Sequence, residues 1–272
     1  MKHALFVPNF GAFAEPQVFA DLAGQAEAAG WDGLYIWDHI LIEDGTPMCD
    51  PWVAMAAAAT LTTSIRLGPM VTPTPRRHPW KLAREVVSLD RLSQGRVDLG
   101  VGIGDPPEVE YGSFGHETDS RIRADKLDES LELITGLWTG EPYAFNGVHY
   151  QLEERTFLPT PVQKPRVPIW VAATWPNKRP FRRAARWDGV FPLKVGPTGF
   201  VDMSYDDIAD MMTYVRAHRT AESPFEFIAG NNDAPNRSLD DLGDLGVTWL
   251  FYNLWDIEPD STAKVRGGPW RT

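Results

Sequence analysis

A chain of 272 residues with 43% hydrophobic content can bury one large core. Its formal net charge of -11 excludes a broad nucleic-acid face, which needs clustered Lys and Arg, and points to small molecules and other subunits as partners. Cys49 is the only cysteine, so there is no internal disulfide framework. With an N-terminal apolar run too short for a secretory signal and no stretch near the ~20 residues of a membrane span, a cytoplasmic protein is expected.

In chain order, HALFVPN reads as a strand and PQVFADLAGQAEAAG as a helix closing at Gly30. GLYIWDH is a second strand. DPWVAMAAAATLTTS is its helix, with Asp50 as N-cap and Pro51 at the first helical position. IRLGPMVTP, HPWKLAREVVSLDRLSQG and RVDLGVGIG give a third strand, a third helix and a fourth strand. The second half keeps the order. A helix is expected near 122–138, then a hairpin turning at Asn146-Gly147 and the proline-rich connector FLPTPVQKPRVP. VPIWVAA, GVFPL, FEFIAGNND and VTWLFYNLW are strands five to eight, with helices at NKRPFRRAARW, YDDIADMMTYVRAH and LDDLGDL. Strands alternating with helices predict an α/β fold, a (β/α)8 barrel in one domain over 1–272 with an insertion after strand four. A doubly wound sheet is the alternative.

A parallel barrel gathers function at the carboxyl ends of its strands. Here these carry Asn9, Asp38 and His39, Thr72, Gly104 and Asp105, Thr174, Lys194, Asn231 to Asp233, and Asn253 with Asp256. Turn-forming preference explains most of them, though not His39 or Lys194. Gly100, Gly102 and Gly104 alternate rather than forming a dinucleotide loop. They serve either as bare backbone for a flat ring or as room for close packing. Arg179, Arg182, Arg183 and Arg186 share one helical face, either solvated or aimed at an anion. The six histidines form no H-x-H or H-x-x-x-H pair, so no metal site is expected. Asp105 and Asp233 are the carboxylates a glycosidase would need.

The stretch RLGPMVTPTPRRHPWKLAREVVSLDRLSQGRVDLGVGIG is preceded by YIWDH and followed by LDESLELITGLW and PVQKPRVPIWVAA. In that order and spacing, to about residue 193, the chain resembles the bacterial luciferase-like superfamily of flavin- and deazaflavin-dependent enzymes. The resemblance implies a homodimeric barrel binding coenzyme F420 or FMN at its carboxyl end, and Asp38-His39 looks like the F420-dependent branch. It implies His39 and Asp105 as catalytic residues. Asp38, Pro69, Met70, Thr72, Ile103, Gly104, Ala172, Ala173 and Thr174 would contact the cofactor, with a non-proline cis peptide between Pro69 and Met70. Thr174-Trp175-Pro176 stands where relatives read Gly-Gly-Pro, and Lys178, Arg179 and Arg182 would compensate by charge toward a phosphate-bearing tail. The implied activity is F420-dependent hydride transfer to or from a small organic substrate. An FMN-dependent monooxygenase and a non-catalytic flavin-binding barrel are the alternatives.

Overall fold

The computed structural model describes residues 1–197 and 199–269, so the last three residues of the expected domain, with Thr198, lie outside it. Eight parallel strands form the wall: β1 (Lys2–Val7), β2 (Gly33–Ile36), β3 (Arg66–Pro69), β4 (Leu99–Gly102), β5 (Ile169–Trp175), β6 (Gly189–Gly196), β7 (Glu226–Gly230) and β8 (Trp249–Asn253). β3 resumes at Thr72–Pro73 after the cis peptide Met70–Val71, one bond later than the expected Pro69–Met70, so the parallel wall has nine segments. β1 pairs with β8 on one side and β2 on the other. The seam between β3 and β4 is held by the bridge Leu67–Val97 and by Thr72–Pro73 against Val101–Gly102. This is a nearly closed (β/α)8 barrel, not a doubly wound sheet.

A helix follows each strand: α1 (Pro16–Ala28), α2 (Pro51–Leu61), α3 (Pro79–Leu92), α4 (Ser120–Leu137), α5 (Lys178–Ala184), α6 (Tyr205–His218), α7 (Leu239–Leu245) and α8 (Pro259–Arg266). The starts obey local chemistry. Asp50 accepts from the amides of Trp52 and Val53 at 2.8 and 3.1 Å, with Pro51 at the first position. Ser204 with Asp207 and Ser238 with Asp241 form capping boxes. The insertion after β4 carries α4 and an antiparallel hairpin, Tyr143–Asn146 with Gln151–Arg155. Its turn is the four residues 147–150 rather than Asn146-Gly147. The Glu129 carboxylate accepts from the amides of Val148, His149 and Tyr150 at 2.7 to 3.0 Å, which stabilises the wider loop. The buried Asp90 of α3 pins the connector by accepting from the amides of Val162 and Gln163.

Alternation along the strands separates two cores. Leu5, Leu34, Ile36, Val101, Ala173 and their neighbours face the helices. Ala4, Phe6, Tyr35, Met70, Trp170, Ile228, Trp249 and Phe251 fill the barrel itself, with Tyr35 stacked on Phe251 at 4.7 Å. So many large side chains fit only because β4 contributes almost no volume. A Cβ at Gly100 would run into the Pro69 carbonyl and stand 2.8 Å from Met70 Sδ, and one at Gly102 would stand 2.7 Å from Val71 Cγ2. The alternating glycines therefore accommodate the bulge of β3. Gly100→Ala is expected to cost about 1–3 kcal/mol through overpacking, read as a lower urea midpoint at unchanged m-value.

Candidate active site

Trp37, Asp38 and His39 continue β2 in extended form, with the Trp37 amide donating to the Val7 carbonyl at 3.0 Å. The pleat sends Trp37 toward Phe6 and Phe10 at the top of the barrel and Asp38 to the opposite side, behind the wall. The Asp38 side chain is 1% exposed. It accepts from Thr72 Oγ1 at 2.8 Å, Trp52 Nε1 at 3.3 Å, Arg76 Nη2 at 2.6 Å and Arg77 Nη2 at 2.8 Å. Burial by itself would raise its carboxyl, but the Arg77 and Arg76 guanidiniums and the Thr72 hydroxyl hold it below the usual range. Both oxygens are committed to protein donors, so Asp38 and Thr72 anchor the site rather than face a ligand.

Arg76 carries the same network forward. Its Nη1 lies 2.9 Å from Oε2 of Glu110, a wholly buried carboxylate on the short helix Pro107–Glu110. Glu110 Oε1 meets His39 Nδ1 at 3.1 Å and the amides of Ile40 and Leu41 at 3.0 and 3.4 Å. An ionised carboxylate can only accept, so Nδ1 carries a proton, and in the neutral imidazole the lone pair is on Nε2. Asn9, also buried, grips the backbone of His39, donating to its carbonyl at 2.8 Å and accepting from its amide at 3.3 Å. The imidazole is thus fixed in position and tautomer while remaining 19% exposed.

The end of β4 is fixed from behind. Tyr111 Oη donates to the Ile103 carbonyl at 2.8 Å, and the buried Arg123 donates to the carbonyls of Ile103 and Gly104 at 2.7 and 2.6 Å. Gly104 sits at φ +78° beside the Tyr111 ring, a conformation glycine adopts without strain. Asp105 follows it, exposed on the rim.

Of the remaining expected residues, Ala172 and Thr174 are half-buried on the barrel side of β5, whereas Ala173 faces the helices. Met70 belongs to the barrel filling, Pro69 is buried in β3, and the Ile103 side chain packs outward. The basic face of α5 turns to α4. Arg179 pairs with Asp125, and Arg183 and Arg186 pair with Asp128 at 2.8 and 2.5 Å. Lys178 Nζ lies over Trp175 at 3.4 Å and faces Tyr214 of α6 at 4.7 Å, while Arg182 is exposed. Most of the expected phosphate cluster therefore already has protein partners. Asp233 is likewise engaged, accepting from the amides of Met203 and Gly230 at 2.6 and 2.7 Å; burial pushes its carboxyl up to about 6. Sequence reading missed Arg76, Arg77, Glu110, Tyr111 and Arg123. No period or motif in PPEVEYG distinguishes Glu110 from its neighbour Glu108.

Comparison with known proteins fits this geometry. The model of the luciferase-like monooxygenase family matches residues 4–219. The chain belongs to that family. It is 37% identical over 167 residues to an F420-dependent glucose-6-phosphate dehydrogenase of Nakamurella multipartita, covering 59% of this chain and 48% of that protein. It is 33% identical over 161 residues to the oxygenase component of a flavin-dependent trigonelline monooxygenase of Acinetobacter baylyi, covering 59% of this chain and 44% of that protein. The matches thus span about half the length of these relatives. A solved F420-dependent secondary alcohol dehydrogenase superposes with a TM-score of 0.76 over 97% of this chain and 96% of its own, at 16% identity, and shows the fold.

Removing the Asp38 charge takes from Arg76 and Arg77 the carboxylate they share and leaves them only Glu110 and Glu85, so Asp38→Asn is expected to cost about 3–5 kcal/mol. Because the native carboxyl is held low, its stabilisation is complete above about pH 4 and is lost as the pH falls through its lowered value. Urea denaturation from pH 7 to pH 3 should show a smaller acid loss of stability in Asp38→Asn than in the parent.

Proposed function

We propose that this chain is an F420-dependent oxidoreductase acting on a small organic substrate, with His39 handling the substrate's proton. The observation that carries the reading is the anchoring of His39 by Nδ1 on the buried Glu110, with the ring 19% exposed beside Trp37 at the end of β2. The family membership and the F420-dependent dehydrogenases among its relatives support it. In a second, looser role, Asp105 on the rim would orient the reactants.

The barrel end suits a flat tricyclic ring. Gly102, Gly104, Ala172 and Thr174 leave small side chains along β4 and β5, and the half-buried Val71 stands beside them at the bulge of β3. Those residues, with the backbone of Ile103, would hold the ring, and Arg182 and Lys178 would meet its charged tail. Bound F420 supplies a carbon that accepts or donates hydride. The protein's share is to orient the substrate hydroxyl or carbonyl toward Nε2. His39 then removes a hydroxyl proton on oxidation or returns one on reduction, while the Glu110 carboxylate stabilises the imidazolium that forms.

Titration with F420 and separately with FMN, followed by tryptophan fluorescence, tests the cofactor. Tighter binding of F420 is expected, and preference for FMN would move the reading to an oxygen-using monooxygenase. His39→Ala should lower turnover by about 10²–10⁴-fold, and Glu110→Gln by about 10–100-fold, with F420 affinity kept in both. Binding without redox turnover in the parent would leave a flavin-binding barrel.

We further propose a cytoplasmic homodimer built on α2. This helix is apolar almost all round, and its outer side exposes Val53 at 58% and Leu61 at 54% beside half-buried Ala56 and Ala57. Val53→Glu with Leu61→Glu should convert a sedimenting dimer into monomer, and a monomeric parent would overturn the proposal. Among the described residues no helix is long and apolar enough to cross a membrane.

A further inference from the structure

The two sides of the barrel mouth differ in chemistry. The β4 and β5 side carries the small residues just assigned to the cofactor. The side formed by β8, β1 and β2 is a continuous run of aromatic rings. Phe6 contacts Phe251 and Trp37 at 5.8 and 5.7 Å between ring centres, and Trp37 in turn contacts Phe10 at 5.8 Å, Trp255 at 5.3 Å and His39 at 5.5 Å. The run surfaces at Trp255, 57% exposed, with Ile40 at 51% and Ile257 at 44% on the same loops. Trp37 Nε1 is buried and has no acceptor among the described residues, like those of Trp170, Trp187 and Trp249, and Trp37 is the one of the four whose ring contacts His39. An indole N–H left so is a donor waiting for an oxygen, and its ring lies beside the histidine assigned to proton transfer.

Charge on these loops points the same way. Residues 8–15, 40–49 and 253–258 carry Glu15, Glu43, Asp44, Asp256 and Glu258, all exposed, and no Lys or Arg. The nearest buried cations, Arg76 and Arg77, are occupied by Asp38, Glu85 and Glu110. A phosphate ester entering here would find repulsion and no unpaired cation on these loops.

We propose that Phe10, Trp37 and Trp255 form the substrate wall, and that the substrate is uncharged with an alkyl or aryl body, its carbinol or carbonyl group held between Trp37 Nε1–H and His39. This deepens the proposed F420-dependent reading and rests on it for the chemistry, though not for binding. With F420 bound to take up the hydride of the carbinol carbon, His39 would take the hydroxyl proton, leaving a ketone, and in reduction it would return that proton as the carbonyl carbon received the hydride.

The test uses the whole chain in two arms. In the equilibrium arm, cofactor-free protein is titrated calorimetrically with hexan-2-one and with hexyl phosphate. The ketone is expected to bind at least tenfold more tightly, and Trp255→Ala to weaken it at least tenfold while F420 affinity stays unchanged. In the kinetic arm, kcat/KM with F420 across propan-2-ol to octan-2-ol should rise about fourfold per methylene, the value of ~0.8 kcal/mol for each one buried. That slope should flatten in Trp255→Ala. Equal binding of hexyl phosphate, or a slope untouched by Trp255→Ala, would overturn the wall. Ketone binding without F420 binding would instead remove the redox reading and leave the wall standing.

Discussion

The site depends on one buried carboxylate. Asp38 lies behind the barrel wall with two guanidiniums, an indole and a hydroxyl upon it, drawn from α2, from the turn after β3 and from Thr72. A charge placed there without partners would be neutralised or expelled; with them it ties three segments to the end of β2. Arg76 extends the tie to Glu110, and Glu110 to His39. The imidazole proposed to handle the proton is therefore located by a chain of charges that begins on the far side of its own strand. Adjacent residues of an extended backbone divide the work, one inward and one outward, because side chains alternate.

The filling of the barrel sets the depth of the site. Trp170, Trp249, Tyr35 and Phe251 occupy the lower interior, and Met70 is accommodated only because Gly100 faces it. What remains open is the shallow upper end, where Val71, Ala172, Thr174 and Trp37 are half-buried. A tall column of aromatic rings beneath gives the ligand end a rigid floor, since such side chains have few alternative packings at native density. Tyr111 and Arg123 hold the neighbouring carbonyls of Ile103 and Gly104, so the end of β4 is as well supported as that of β2.

The proposed function rests on the contrast between the two sides of that floor. Small residues on β4 and β5 are proposed to receive a planar cofactor, and the aromatic run on β8, β1 and β2, with His39 beside it, is proposed to receive an apolar substrate. The basic face of α5, which in isolation looks suited to a phosphate, spends most of its charge on Asp125 and Asp128 of α4. Arg182 is the exposed member of that face without an ion pair among the described residues, and it is the one proposed for a charged tail.

The sequence by itself determined the order of strands and helices, the caps at Asp50 and Pro51, the barrel class and the family. Each rests on local periodicity, on turn chemistry or on a motif contiguous in the chain. It also put His39 and Asp105 at strand ends, which topology alone places at the mouth. Only the tertiary structure decided which strand-end residues face the barrel mouth. Asp38, Thr72 and Ala173 lie in the same motifs as the mouth-facing positions, yet the pleat turns them away from it. Nor did the chain's one-dimensional order mark Glu110, which sits 71 residues from the histidine it orients. Its significance comes from the meeting of the segment after β2 with the short helix after β4 and from the complete burial of its own carboxylate there. The hairpin turn shows the same limit in small. Asn146-Gly147 favours a two-residue turn locally, but a carboxylate on α4 offers three amides a partner and the wider loop prevails. Local preferences are worth a few tenths to one kcal/mol, and buried charge and hydrogen-bond satisfaction are worth more, so the second overrules the first wherever they meet.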